Sequence, residues 1–176
     1  PDGALPPGSA LVEIVRTGER DLALILRHDG ASRHVDLGPA AAIDRVVDGW
    51  RAELESSARA LVSGPPEAAS RDRLEEKGVE LRRVLWDPIA EPLAGIDRVF
   101  LVPDGALHRV DVGALPAGDG KYLVEAGPTI HLLSTGRDLV RLSGNRPAAP
   151  AGRWPSSPPP GGRRPRRRGA GSRTRV

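Results

Sequence analysis

At 176 residues with 39% apolar content, the chain has room for one ordinary domain with a modest core, and an aromatic share of 3% leaves nearly all burial to Val, Leu, Ile and Ala. No position is cysteine, which excludes disulfides, thiolate zinc sites and a cysteine nucleophile. The net charge of +3 is unevenly placed: residues 144 to 176 hold 9 Arg and no acid, whereas residues 1 to 143 hold 17 Lys+Arg against 23 Asp+Glu, so bulk basicity is no evidence for a nucleic-acid-binding domain surface.

Ala10 to Arg16 alternates as a strand does, and Leu22 to Leu26 is a short apolar run suited to a strand covered on both faces. Thr17 to Asp21 joins them as a hairpin loop. After the turn signal Asp29-Gly30, Arg33 to Leu37 reads as a third strand with His34 and Asp36 facing away from Val35, which completes an antiparallel meander. Pro39 opens a helix, its fixed φ and missing donor being harmless in the first turn. Ile43, Val46, Val47, Trp50, Leu54, Ala58 and Leu61 then fall on one helical face, the clearest periodicity in the chain, until Gly64-Pro65-Pro66 ends it.

A second helix starts near Ser70 and is expected to bury Leu74, Leu81 and Leu85, with Gly78 weakening its middle by about 1 kcal/mol relative to alanine. Asp87-Pro88 interrupts it and restarts a short helix from Pro88 to about Leu93. Arg98 to Val102 reads as a buried strand closed by the turn Pro103-Asp104-Gly105. A further strand is expected within Leu123 to Leu133, and Ser134 or Thr135 can cap a helix carrying Leu139, Val140 and Leu142. From Gly144 onward, 26 of 33 residues are Arg, Pro, Gly or Ala, a composition that predicts disorder because it offers too little surface to bury. No internal repeat interrupts this order.

Several of these segments, taken in sequence, resemble the CHAT domain, a bacterial family with caspase-like architecture that is associated with tetratricopeptide repeats. They are Leu5-Pro6-Pro7-Gly8-Ser9-Ala10-Leu11-Val12-Glu13, Val35-Asp36-Leu37-Gly38-Pro39, the run Val99 to Arg109, Ala114-Leu115-Pro116, Tyr122-Leu123-Val124-Glu125 and Leu132-Leu133-Ser134. The resemblance covers residues 5 to 143, with a departure at Val110-Asp111-Val112, where the family tends to have a proline and an aromatic residue. It implies an α/β fold in which the N-terminal antiparallel meander leads into the first part of a caspase-like α/β sandwich. It also implies a His/Cys dyad of a cysteine peptidase acting on a protein or peptide substrate. Neither dyad member matches a residue of this chain, so no catalytic residue is carried over.

The domain expectation is a partial CHAT domain at 1–143, truncated before its catalytic half, and an Arg/Pro/Gly-rich tail at 144–176. The tail's residues are those of GC-rich codons, so an out-of-frame origin is one reading and a basic tail holding an acidic partner is another. Truncation would leave sheet edges and an apolar face uncovered and make the chain prone to aggregate. A longer parent protein could carry tetratricopeptide repeats.

Individual residues add little chemistry. His108, just past a strand end, sits where sites of open α/β sheets gather, but with no thiol it reads as a structural residue hydrogen-bonding its loop. His28, His34 and Asp36 are too few for a metal site and read as solvated strand and turn residues. His131 is expected on the less buried side of its strand. Glu75, Glu76 and Glu80 interleave with Arg71, Arg73 and Lys77 as on a solvated helix face. The run Arg164-Pro165-Arg166-Arg167-Arg168 could neutralise phosphates only in a salt-sensitive, non-specific way. No serine-hydrolase elbow, phosphate-binding loop or dinucleotide fingerprint is present. No cofactor or metal is expected. The absence of an apolar run of about 18 residues and of a leader pattern predicts a cytoplasmic protein without a membrane partner.

Overall fold

The structure, a computed structural model, describes residues 5–64 and 68–139, all within the first of two units, Pro1–Asn145 and Arg146–Val176. The arginine-rich segment, Pro65, Pro66, Val140 and Leu142 lie outside the described residues. Three strands open the chain: β1 (Ser9–Thr17), β2 (Arg20–Arg27) and β3 (Ser32–Pro39), each antiparallel to the last. The meander was legible, but the first turn is tighter than expected. Arg16 pairs with Asp21 and Thr17 with Arg20, leaving only Gly18 and Glu19 between the strands, so Asp21 belongs to β2 rather than to a loop. Its side chain faces the core and is 1% exposed.

The helix α1 (Ala40–Ser63) follows Pro39, whose φ of −64° and extended ψ make it the residue before the first turn. Ile43, Val47 and Trp50 are buried as the periodicity required, but the later members of the stripe are not: Leu54 is 42% and Leu61 is 60% exposed. Ala58 is exposed as well. The outer half of α1 packs on α2 (Ala68–Leu85), through a buried Ser57–Ser70 hydroxyl pair at 3.0 Å and an Arg73–Glu53 ion pair. On α2, Leu81 and Leu85 are fully buried while Leu74 is only half-buried. A short helix α3 (Asp87–Ala90) has Pro88 in its first turn, as expected, and buries Ile89, but it ends before the expected Leu93, giving way to turns at 91–95.

The strand β4 (Arg98–Val102) then runs parallel to β1. A 3₁₀ turn at Gly105–Arg109 follows, capped by the Asp104 carboxylate accepting from the Gly105 amide, and a second at Val112–Ala114 is capped likewise by Asp111 on Gly113. The departure from the family pattern is accommodated here, since Val110 and Val112 are both 3% exposed. A two-stranded ribbon, β5 (Pro116–Gly118) and β6 (Lys121–Tyr122), leads into a single helical turn α4 (Leu123–Ala126). The strand expected within Leu123 to Leu133 is therefore confined to β7 (Thr129–Leu132), because the Glu125 carboxylate accepts from the Tyr122 amide and turns the preceding residues helical.

The main sheet has the order β3-β2-β1-β4-β7, with β1, β4 and β7 parallel and the meander antiparallel. One face packs Ala10, Val12, Ile14, Ala23, Ile25, Val99 and Leu101 against α1, α2 and α3 in a single core. Asp21 shares that side with Ala23 and Ile25, and Leu37 shares it with Val35, with a register shift between Asp21 and Leu22. On the opposite face Leu24 is 41% exposed, and the two edge strands of the sheet are β3 and β7. No helix among the described residues is long and apolar enough to cross a membrane.

Candidate functional site

In open α/β sheets, binding residues gather beyond the carboxyl ends of parallel strands. Here those ends are Arg16 on β1 and the turn Pro103-Asp104-Gly105 after β4, side by side because the strands are parallel neighbours. The Arg16 amide donates to the Asp104 carboxylate at 3.1 Å. The Arg16 guanidinium forks between two more carboxylates, donating to Asp21 at 2.8 and 3.1 Å and to Asp44 at 3.0 and 2.8 Å. One planar cation thus joins the β1–β2 turn to α1, and the chain beside it to the β4 turn.

The charges at this end of the sheet are mutually satisfied. Hydrogen bonding to Arg16 holds the Asp44 carboxyl below the usual carboxylate range, and bonds from the Arg16 and Gly105 amides do the same for Asp104. Arg16 itself is raised further, first by its bonds to Asp21 and then by those to Asp44. Carboxylates kept ionised in this way are poor proton donors near neutral pH, so the cluster positions elements and has no spare acid to offer.

Next to it stands His108, in the first 3₁₀ turn and anchored there by the fully buried Leu107. The expected loop hydrogen bond is not formed: His108 is exposed, and its imidazole has no hydrogen-bond partner among the described residues. The turn is held instead by the Asp104 cap and by Arg109, which reaches Asp48 on α1 at 2.9 Å. His28 and His34 are exposed, and Asp36 is taken up by Arg20, at 2.6 Å, and by the Gly38 amide. No group of three or more His, Asp or Glu placed to hold a metal occurs among the described residues. His131 lies on the exposed side of β7 and stacks on Phe100 with ring centroids 5.4 Å apart. Of the charged residues on α2, Lys77 pairs with Glu80 at 2.8 Å, and Arg71 and Glu75 border a cleft.

That cleft, about 530 Å³, lies between α1, α2 and the β5–β6 ribbon. Trp50, Leu54, Leu74 and Tyr122 form its apolar wall, with Arg71, Glu75, Asp111 and Lys121 around the mouth. It exists because the ribbon is pinned on α2: Arg82 donates to the Pro116 carbonyl at 2.8 Å, and the Pro116 ring lies directly over Gly78. Sequence reasoning missed both the Arg16 cluster and this cleft. An acid immediately before the apolar run of β2 was the available signal for the first; the second depends on segments without periodicity.

Residues 75–154 match the family model of the CHAT domain. This segment is similar to the CHAT domain. It takes in most of α2 and every element from α3 to β7, including the motifs Val99 to Arg109, Ala114 to Pro116, Tyr122 to Glu125 and Leu132 to Ser134. The matched residues begin later and end later than the resemblance of 5 to 143, leaving the motifs at Leu5 to Glu13 and Val35 to Pro39 outside and reaching past Gly144. The fold nonetheless ties the meander to the CHAT segment, because β1 pairs with β4 along its first five residues, Ser9 to Glu13. No curated protein matches the sequence.

Proposed function

We propose that this chain is scaffold from a caspase-like CHAT fold and does not hydrolyse peptide bonds by itself. One observation carries the reading: attack by sulfur needs a thiolate, and none of the 176 residues is cysteine. The CHAT match and the parallel strands β1, β4 and β7 support the scaffold role. The occupied state of the Arg16, Asp21, Asp44 and Asp104 cluster supports the lack of activity, since it offers no nucleophile and no free base. On this reading the His/Cys pair, the peptide substrate and any tetratricopeptide repeats belong to further polypeptide.

The test is direct. The purified chain, incubated with a panel of fluorogenic peptides covering acidic, basic and apolar residues before the scissile bond, is expected to release no more fluorophore than buffer alone. Cleavage that disappears in His108→Ala of the same chain would overturn the proposal.

A further inference from the structure

The cleft between α1, α2 and the β5–β6 ribbon differs from an ordinary gap between helices in what lies at its inner end. Trp50 lines it and is only 5% exposed, yet its indole N–H donates to no acceptor among the described residues. The nitrogen is not sealed from solvent, so whatever reaches it comes through the cleft.

Packing holds this donor in place and gives it no partner. The indole nitrogen lies 3.6 Å from where a Cβ on Gly78 would stand, a position that the Pro116 ring also crowds. Acceptors nearby are in use. The carbonyls around Gly78 belong to the hydrogen-bond ladder of α2, and the Pro116 carbonyl accepts from Arg82 at 2.8 Å. An indole N–H can only donate, and a buried donor left unpaired costs free energy. An acceptor carried in by a ligand therefore gains a hydrogen bond without any rearrangement of the ring.

The surroundings of the donor define the rest of the ligand. Leu54 on α1, Leu74 on α2 and Tyr122 on the ribbon bring apolar surface from three elements, and Leu54 and Tyr122 are 42% and 51% exposed. A volume of about 530 Å³ falls within the range of roughly 300–1,000 Å³ that holds compact organic ligands. At the mouth, Arg71, Lys121 and Glu75 form no ion pair among the described residues, and Asp111 accepts only from the Gly113 amide. Two cations and two anions cancel, so the mouth selects no net charge. A charged head group taken down to one neutral donor among apolar side chains would lose its water without replacement.

We propose that this cleft binds a compact neutral ligand that joins an apolar ring or branched chain to a carbonyl oxygen. The carbonyl accepts from the Trp50 indole N–H, and the apolar body lies against Leu54, Leu74 and Tyr122. The site shares no residue with the Arg16 cluster, and it goes beyond the scaffold reading without resting on it.

The donor reports on its own occupancy. In the full chain, isotope-labelled on nitrogen, the three tryptophans give three indole N–H cross-peaks in a magnetic-resonance spectrum. That of Trp50 is assigned by its loss in Trp50→Phe and by Overhauser contacts with the Pro116 ring. The probes are phenylacetamide, phenethylamine and phenylacetate, which keep one ring and change the head group. Phenylacetamide is expected to move the Trp50 cross-peak downfield in a saturable way, to leave those of Trp86 and Trp154 in place, and to bind about tenfold more tightly than phenethylamine, whose ammonium has no acceptor to offer. An unmoved Trp50 cross-peak overturns the proposal, as do equal affinities for the three probes. A preference for phenylacetate also overturns it, because the cleft is then an anion site. Leu54→Asp leaves the indole intact and alters a half-exposed side chain. It is expected to keep all three cross-peaks where they stand without probe and to weaken phenylacetamide about tenfold, and unchanged binding overturns the proposal.

Discussion

Two helix glycines separate local propensity from packing. Propensity alone says that alanine is better than glycine in a helix interior by about 1 kcal/mol, whichever glycine is chosen. At Gly49 on α1 the nearest atom to an added Cβ is Lys77 Cδ, at 4.0 Å, an ordinary van der Waals contact, so Gly49→Ala should stabilise by about 0.5–1 kcal/mol. At Gly78 on α2 the same methyl would meet Pro116 ring carbons at 2.6 and 2.9 Å, with the Trp50 indole nitrogen at 3.6 Å. A proline ring whose carbonyl is held by Arg82 cannot turn aside, so Gly78→Ala should destabilise by about 1–3 kcal/mol and loosen the β5–β6 ribbon. Urea denaturation of the two variants checks this, and equal shifts of the same sign would contradict it. Gly78 looked in the sequence like a weakness in a helix. The structure makes it the place where another segment comes closest.

Among the elements, α1 marks how far a sequence pattern can be read. Its 3.6-residue stripe gave the helix and its inner face, and Ile43, Val47 and Trp50 are buried as required. The same stripe continues through Leu54, Ala58 and Leu61, where no sheet lies beneath, because periodicity records which side residues share and not how far the neighbouring layer extends. The consequence is measurable. Leu61→Lys should change stability by no more than about 0.5 kcal/mol, whereas Leu81→Ala on α2, at 0% exposure, should cost about 2–5 kcal/mol. A large loss for Leu61→Lys would mean that the outer half of α1 has a partner in solution. Between Val110 and Tyr122 there was no periodic signal to read. Order there comes from carboxylate caps and one proline contact, although the Asp111-Val112-Gly113 turn was visible as an Asp followed two residues later by Gly.

At the scale of the whole molecule, the meander and the CHAT segment are joined by main-chain pairing of β1 with β4 and by one cluster of charge at the end of those strands. The strands were legible from their apolar runs. The cluster was not, because Arg16, Asp21, Asp44 and Asp104 are scattered along the chain and each alone looks like a solvated residue. Its energetics give a definite pH dependence. Asp44 and Asp104 have carboxyls lowered from their ordinary value of 3.8, the first chiefly by Arg16 hydrogen bonds and also by the charge of Arg109, the second by two amides and by the charges of Arg16 and His108. A lowered folded value means the folded state binds protons less readily than the unfolded chain. The contribution is therefore complete above the ordinary carboxylate range and is lost as pH falls through the lowered folded values. Thermal unfolding should accordingly be level from about pH 7 to about pH 5 and fall steeply below about pH 4. Because the Arg16 and Gly105 amides donate to different oxygens of Asp104, Asp104→Asn keeps an acceptor for only one of them and has no proton to gain, so it should start less stable at pH 7 and decline less steeply in acid. An acid slope identical to that of the unaltered chain would show that the cluster does not link the two parts of the sheet energetically, and that the β1–β4 pairing holds them together unaided.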